Sequence, residues 1–344
     1  MGSKGAALMV RCAFLTQGPL IPSSRFRVEQ YQPLLKDLGI DPLVLHSRFG
    51  AYPPSTRFLR PIWGVAALLD GYSRVSAANA CDVVLLQREL LSTVFSAERY
   101  LKRPFVFDVD DAIFLNARRQ SIQKIASSAK SIIVGNTYLA DYFSQFGEVV
   151  IIPTSVDCEY FSPGNANQLE LVLGWSGSSS GLKYLYDIET ALSVVMERYP
   201  FVCLKVVSNQ PPQFKCLPKS RVYFEQWSQP REVDALREFS IGLMPLLDTP
   251  WERGKCSFKM LTYMSVGKPV VVSPVGMNLE LLKMAHLGFG ASYHDEWVEA
   301  LCILIEDETL RLTLGKNGRE TAVRFFDTRM QARRLSEVLI KSAS

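Results

Sequence analysis

Arg253, Lys255 and Lys259 bring three cations to the start of one amphipathic stretch. Cations at a helix start are mildly unfavourable unless an anion is bound there, and the dipole and N–H groups of a helix start favour such an anion. The chemistry this suggests is phosphate binding; the plain alternative is a solvated basic face. A second group is acidic. Asp108, Asp110 and Asp111 close the apolar run Phe105 to Val109. An Asp-x-Asp there can hold a divalent metal through hard oxygen ligands, or an Asp can cap the next turn. The third group is Gly18 with Arg25 and Arg27. A glycine after the first strand lets a ligand approach the backbone, and Arg25 can reach a phosphate or stay solvated. There is no G-x-G-x-x-G, so a nicotinamide cofactor is poorly supported. His46, His286 and His294 do not sit at strand ends with partners, which disfavours a Ser-His-Asp arrangement.

The elements that must carry these groups alternate. In the first half, strands are expected at Ala7 to Leu15, Pro42 to Leu45, Val83 to Leu86, Phe105 to Val109, Ser131 to Val134 and Val149 to Ile152. Helices are expected at Arg25 to Leu38, with Gly39 as the stop, and at Glu89 to Leu101. Pro61 to Val75 is apolar with Arg60 and Arg74 at its ends. It reads as a buried helix, with a membrane-surface helix as the alternative. Prolines, Gly164 and the polar run Asn165 to Gln168 mark a linker. A second alternating unit follows. Its strands are expected at Leu169 to Trp175, Phe201 to Val207, Val222 to Phe224, Ile241 to Met244 and Val270 to Val272. The loop Ser176 to Gly181 follows the first of them, and the chain from Asp295 to Ile340 reads as almost wholly helical. Before Val270, Ser257 is placed to cap a helix and Gly267 to end it. On that helix Lys255, Lys259 and Thr262 would share a face by their i, i+4, i+7 spacing. The rhythm is that of parallel, doubly wound α/β sheets.

Length and composition agree. The 344 residues suggest two domains. Hydrophobic residues make up 48% and charged residues 21%, as in folded globular proteins. A net charge of +4 permits an anionic ligand or lipid surface and does not demand nucleic acid. The 7 scattered cysteines form no C-x-x-C pair, which points to a reduced, cytoplasmic setting. The Met1-Gly2 start lacks the Ser or Thr of a myristoylation motif, since Ala6 stands there. Neither a signal peptide nor a membrane-spanning run is evident.

Several motifs resemble those of the family 4 glycosyltransferases of the GT-B fold. They are Ile152-Pro-Thr-Ser-Val-Asp157 with Phe161 and Pro163, Tyr263-Met-Ser-Val-Gly-Lys-Pro-Val-Val271, and Val275-Gly276 with Glu280. Ser24-Arg-Phe-Arg27 and Phe107-Asp-Val-Asp-Asp111 are similar to a bacterial branch acting on surface polysaccharides. The resemblance implies two Rossmann-like domains facing across a cleft. Residues 1–155 would bind the acceptor and 156–325 the nucleotide-sugar, with 326–344 crossing back to the first domain. It implies a nucleotide-diphosphate sugar as co-substrate, no cofactor, a saccharide or lipid-linked saccharide acceptor, and transfer that is retaining and metal-independent. A peripheral contact with an anionic inner membrane face stays open.

The chain departs from the family in places. Gly254 and Thr262 stand where the family carries two glutamates, and Thr262 can still hydrogen-bond a hydroxyl. The Ser176 to Gly181 loop lacks the family's cations until Lys183. The donor diphosphate would then fall to Arg253, Lys255 and Lys259, with Ser176, Thr262, Gly276 and Glu280 around the donor. Asp110 stands where many relatives carry a histidine. Its expected role is acceptor-side, as base or orienter, with Asp108, Asp111, Gly18 and Arg25 nearby; capping and metal binding remain the alternatives. The expected function is glycosyl transfer. The alternatives are a GT-B sugar-nucleotide epimerase and a non-catalytic transferase subunit.

Overall fold

The computed structural model describes residues 9–19, 21–50, 52–92, 96–115, 119–164 and 170–344. The Met1-Gly2 start, Ala7 and Leu8 of the first expected strand, the polar run 165–168 and Leu169 lie outside the described residues. The chain forms two compact units. The first comprises 1–155, 254–256 and 328–344, and the second 156–253 and 257–327.

The first unit is built on a six-stranded sheet. Its strands are β1 (Val10–Thr16), β2 (Ile40–His46), β3 (Val83–Gln87), β4 (Phe105–Val109), β5 (Ser131–Val134) and β6 (Val149–Ile151), in the order β2-β1-β3-β4-β5-β6. Every neighbouring pair is parallel. The continuous apolar runs explain this. All five residues of β3 and all five of β4 are buried, as in strands covered on both faces. The helix Thr328–Ala343 lends Ala332, Leu335, Val338 and Leu339 to the core around Cys12, Phe14 and Leu85.

Three expected helices differ. Arg25 to Leu38 is split into Pro22–Arg27, a 3-10 turn Glu29–Tyr31, and Gln32–Asp37. Among the described residues of Glu89 to Leu101, only Ala97–Tyr100 is helical, as a 3-10 turn. Glu98 holds this segment instead: its carboxylate accepts from the N–H groups of Leu90 at 2.7 Å and Ser96 at 2.8 Å. The helix Arg60–Ala78 buries only one side, with Ala67, Gly71, Val75 and Ala78 inward. Arg74 is inside as well, paired with Asp70 at 2.9 Å, so it does not flank the helix as a surface cation.

The second unit repeats the plan with β7 (Leu171–Ser176), β8 (Val202–Ser208), β9 (Val222–Gln226), β10 (Ile241–Met244), β11 (Val270–Val272) and β12 (Gly288–Gly290). The order is β12-β11-β10-β7-β8-β9, again all parallel. Strand order reverses between β7 and β10, and in open α/β sheets ligands bind beyond the carboxyl ends at such a point. The residues after Ser155 are packed into this unit. The Val156 N–H donates to Phe326 O at 2.9 Å, and Arg319 Nη1 and Nη2 donate to the carbonyls of Phe161 and Cys158. The helical tail is broken at Asp307, which caps Glu308–Phe326, and at Asp327.

Candidate functional site

The carboxyl ends of β7, β10 and β11 carry most of the expected donor residues. The helix Phe258–Ser265 ends as its sequence requires. Gly267 takes φ +73° and donates to Met264 O at 3.0 Å, and Lys268 donates to Tyr263 O at 2.9 Å. These two bonds make a Schellman motif. Its start differs from expectation. Ser257 is left-handed, with φ 51° and ψ 28°, and makes no side-chain cap. Its hydroxyl donates instead to Asn278 Oδ1 at 2.6 Å. Asn278 Nδ2 donates to Ser273 O at 3.0 Å, and Ser273 Oγ accepts from Leu246 N–H at 3.0 Å. Asn278 thereby ties the start of this helix and of Met277–Met284 to the end of β11, a role no sequence motif signalled.

The left-handed turn at Ser257 has a consequence for the cations. The helix begins only at Phe258, so Lys255 is off it and does not share a face with Lys259. Lys255 belongs to the first unit, Arg253 and Lys259 to the second. Lys259 is half-buried at the end of β7, its Nζ 5.3 Å from the centroid of the buried Trp175 ring, a cation–π distance. A Cβ on Gly177 would lie 2.8 Å from Trp175 and closer still to Lys259, so only a glycine admits this packing. The loop without cations therefore receives one from the helix. The N–H of Ser176, in the same turn, donates to the Tyr263 hydroxyl at 2.9 Å.

Arg253 is exposed and paired with Asp248, at 2.6 and 3.0 Å, and this holds the Asp248 carboxyl below its ordinary range. Gly276 takes φ 52° and ψ −129°, and a Cβ there would lie 2.5 Å from Arg253 O. Its role is thus to let the two backbones meet. Glu280 is half-buried in the first turn of the helix that follows. Thr262 is buried, and its hydroxyl donates to Lys259 O at 2.8 Å, so it serves its own helix. A cavity of about 120 Å³ lies nearby, lined by Tyr184, Leu246, Ser273 and Trp297 among others. That is below the several hundred Å³ of ordinary ligand pockets.

In the first unit the acidic cluster is divided between two arginines. Asp108 is buried and paired with Arg27, whose Nε donates to it at 3.1 Å and whose Nη1 donates to Ile152 O at 2.7 Å. Burial works against the Arg27 charge, but the field of Asp108 outweighs it and the guanidinium ends above its ordinary value. Asp108 is a core ion pair, which corrects its expected place among cleft residues. Arg88 reaches Asp110 at 2.6 Å and also grips Asp111. Burial again opposes the Arg88 charge, and the two carboxylates raise it overall. Arg88 has φ 57°, a left-handed backbone unusual for a residue with a side chain. Such outliers collect at functional sites, and neither arginine was singled out as the partner by sequence spacing.

The segment 254–256 completes this end of the first unit. Cys256 Sγ donates to Asp110 O at 3.1 Å, and Asn136 Nδ2 donates to Lys255 O at 3.1 Å. A Cβ on Gly254 would lie 2.8 Å from Ala112 N. Gly254 is therefore a packing position, and a glutamate does not fit there without displacement. Gly18 follows β1 with φ 150°, and Arg25 stacks on Phe26 at 4.6 Å. Among the described residues no group of three His, Cys, Asp or Glu side chains is arranged to hold a metal ion. No described helix is long and apolar enough to cross a membrane.

No protein-family profile matches the chain, and no curated protein matches it. Solved structures do. Sucrose-phosphate synthase from Thermosynechococcus elongatus superposes with a TM-score of 0.76 at 16% identity, over 96% of this chain and 98% of that one. Anabaena HepE, solved in complex with UDP, gives a TM-score of 0.72 at 17% identity over 96% and 100%. A glycosyltransferase from Rickettsia africae gives 0.68 at 12% identity over 97% and 98%. The likeness is one of fold: the chain has the GT-B fold of these glycosyltransferases.

Proposed function

We propose that the chain is a glycosyltransferase. It moves a sugar from a nucleoside-diphosphate sugar to a hydroxyl of a saccharide or lipid-linked saccharide, with retention and without a metal. The observation that carries this reading is Lys259, seated on Trp175 and the Gly177 turn at the carboxyl end of β7, beside the reversal of strand order. A cation there, with the positive end of the Phe258–Ser265 helix dipole, suits a diphosphate. Arg253 joins it when the phosphate displaces Asp248. The second unit then holds the donor and the first the acceptor.

In the transfer, the bond from the anomeric carbon to the diphosphate oxygen breaks and a bond to the acceptor oxygen forms. The acceptor proton leaves to a phosphate oxygen or to water. Lys259 and Arg253 stabilise the charge growing on the departing diphosphate. Asp110, already gripped by Arg88, orients the acceptor hydroxyl. Because HepE was solved in complex with UDP and with UDP-glucose, UDP is the first ligand to test.

Titration of UDP into wild type and Lys259→Ala tests the reading. A charge-assisted hydrogen bond contributes about 1.5–3 kcal/mol, so the variant binds UDP roughly 10- to 150-fold more weakly. Its melting temperature without ligand stays near that of wild type. Equal affinity in both proteins refutes the phosphate role of Lys259. Transfer from UDP-sugars with chelator present tests metal independence. A non-catalytic subunit is the second reading, favoured by Gly254 and the buried Thr262 at the family's glutamate positions. UDP binding without transfer from any donor sugar would support it.

A further inference from the structure

The helix Arg60–Ala78 presents a second apolar side away from the core. Ile62, Val65 and Leu69, spaced i, i+3, i+7, are 71%, 61% and 65% exposed. The preceding turn adds Phe58 at 90% and Leu59 at 52%. Single exposed apolar residues are ordinary; a continuous stripe that includes an aromatic side chain marks an interaction surface.

The charge around the stripe is one-sided. Arg48, Arg57 and Arg60 are exposed, and no Asp or Glu occurs from Ser47 to Leu69. The next acid, Asp70, is buried against Arg74 and reaches Arg48 only at 4.0 Å. A two-fold contact between copies of this chain would set these arginines against their own counterparts, since such an interface uses the same patch twice. Apolar side chains rimmed by arginines instead match the boundary of a bilayer with anionic headgroups. We propose that Phe58, Leu59, Ile62, Val65 and Leu69, with Arg48, Arg57 and Arg60, dock the chain on an anionic lipid surface. The proposal is independent of the transferase reading.

The experiment is co-sedimentation of the full chain with vesicles of phosphatidylcholine alone or mixed with phosphatidylglycerol. Binding is expected to the mixed vesicles and to weaken as salt rises. Arg57→Gln with Arg60→Gln lowers affinity for the mixed vesicles roughly 25-fold, at about fivefold per arginine. Phe58→Ser with Ile62→Ser lowers it at least about tenfold. These side chains are exposed, so both variants keep the wild-type melting curve. No binding to mixed vesicles, equal binding to the two compositions, or unchanged binding by the Phe58 and Ile62 variant overturns the proposal. So does a wild-type dimer that becomes monomeric in that variant, since a second copy would then be the occupant.

Discussion

The carboxyl ends of the two sheets handle charge in opposite ways. In the first unit three carboxylates crowd the end of β4, and two arginines answer them: Arg27 takes Asp108, and Arg88 takes Asp110 and Asp111. In the second unit a cation stands at the end of β7, and Lys259 is carried on the face of Trp175. An arginine fork can satisfy several carboxylate oxygens and stay inside, whereas a lysine on an aromatic face keeps its ammonium at a surface. The acidic end is thus a framework of ion pairs, and the basic end is where the proposed phosphate would bind.

The largest effect should come from breaking that framework. Arg27→Ala strands the buried Asp108 carboxylate, and loss of one partner of a buried pair costs about 3–5 kcal/mol. Denaturant unfolding should register it, while the double change Arg27→Met with Asp108→Leu recovers most of the loss. If Arg27→Ala unfolds like wild type, the pair is not structural.

Asp110 sharpens the contrast next. As an orienting group, Asp110→Asn should slow transfer about tenfold or less and leave the pH profile in shape, against the 10²- to 10⁴-fold typical of general bases. A loss in that larger range, with one limb of the pH profile gone, would make Asp110 the base.

Smaller still is the effect at Arg253. Its pair with Asp248 is exposed, and such pairs contribute about 0.2–1 kcal/mol. Asp248→Ala releases the guanidinium for phosphate and should tighten UDP binding by a factor of about 1.4–5. Weaker binding would place Arg253 outside the phosphate site.

A separate effect concerns a lysine of the second unit next to the helix Phe258–Ser265. Lys268, beyond its carboxyl end, is driven down to about 8 by burial. Its folded value lies below its unfolded one, so the unfolded chain holds more protons between about 8 and 10.5. The stability cost is complete below pH 8 and fades as pH rises through that window. Lys268→Met should therefore melt higher than wild type at neutral pH, with the gap narrowing toward pH 10.5. A constant gap across the window would show that burial does not penalise the charge.

The two parallel sheets are legible from apolar runs such as Val83 to Leu86 and Val270 to Val272, because burial on both faces leaves a continuous local signature. Gly267 is legible for a similar reason: a left-handed helix end is a local need that glycine meets. The cation at the end of β7 is legible only as a cluster of residue types. Spacing put Lys255 and Lys259 on one face, and the left-handed Ser257 removes Lys255 from the helix.

What the sequence alone determined is the alternation of strand and helix, the α/β class, and the positions of charge along the chain. Tertiary structure alone decided which charged and polar groups meet. Arg27 and Asp108 are 81 positions apart, and Asn136 reaches Lys255 across 119. It also decided which side of Arg60–Ala78 faces solvent, since an apolar stripe has the same period whether covered or bare. Periodicity is written by near neighbours; pairing and exposure depend on what the rest of the fold brings alongside.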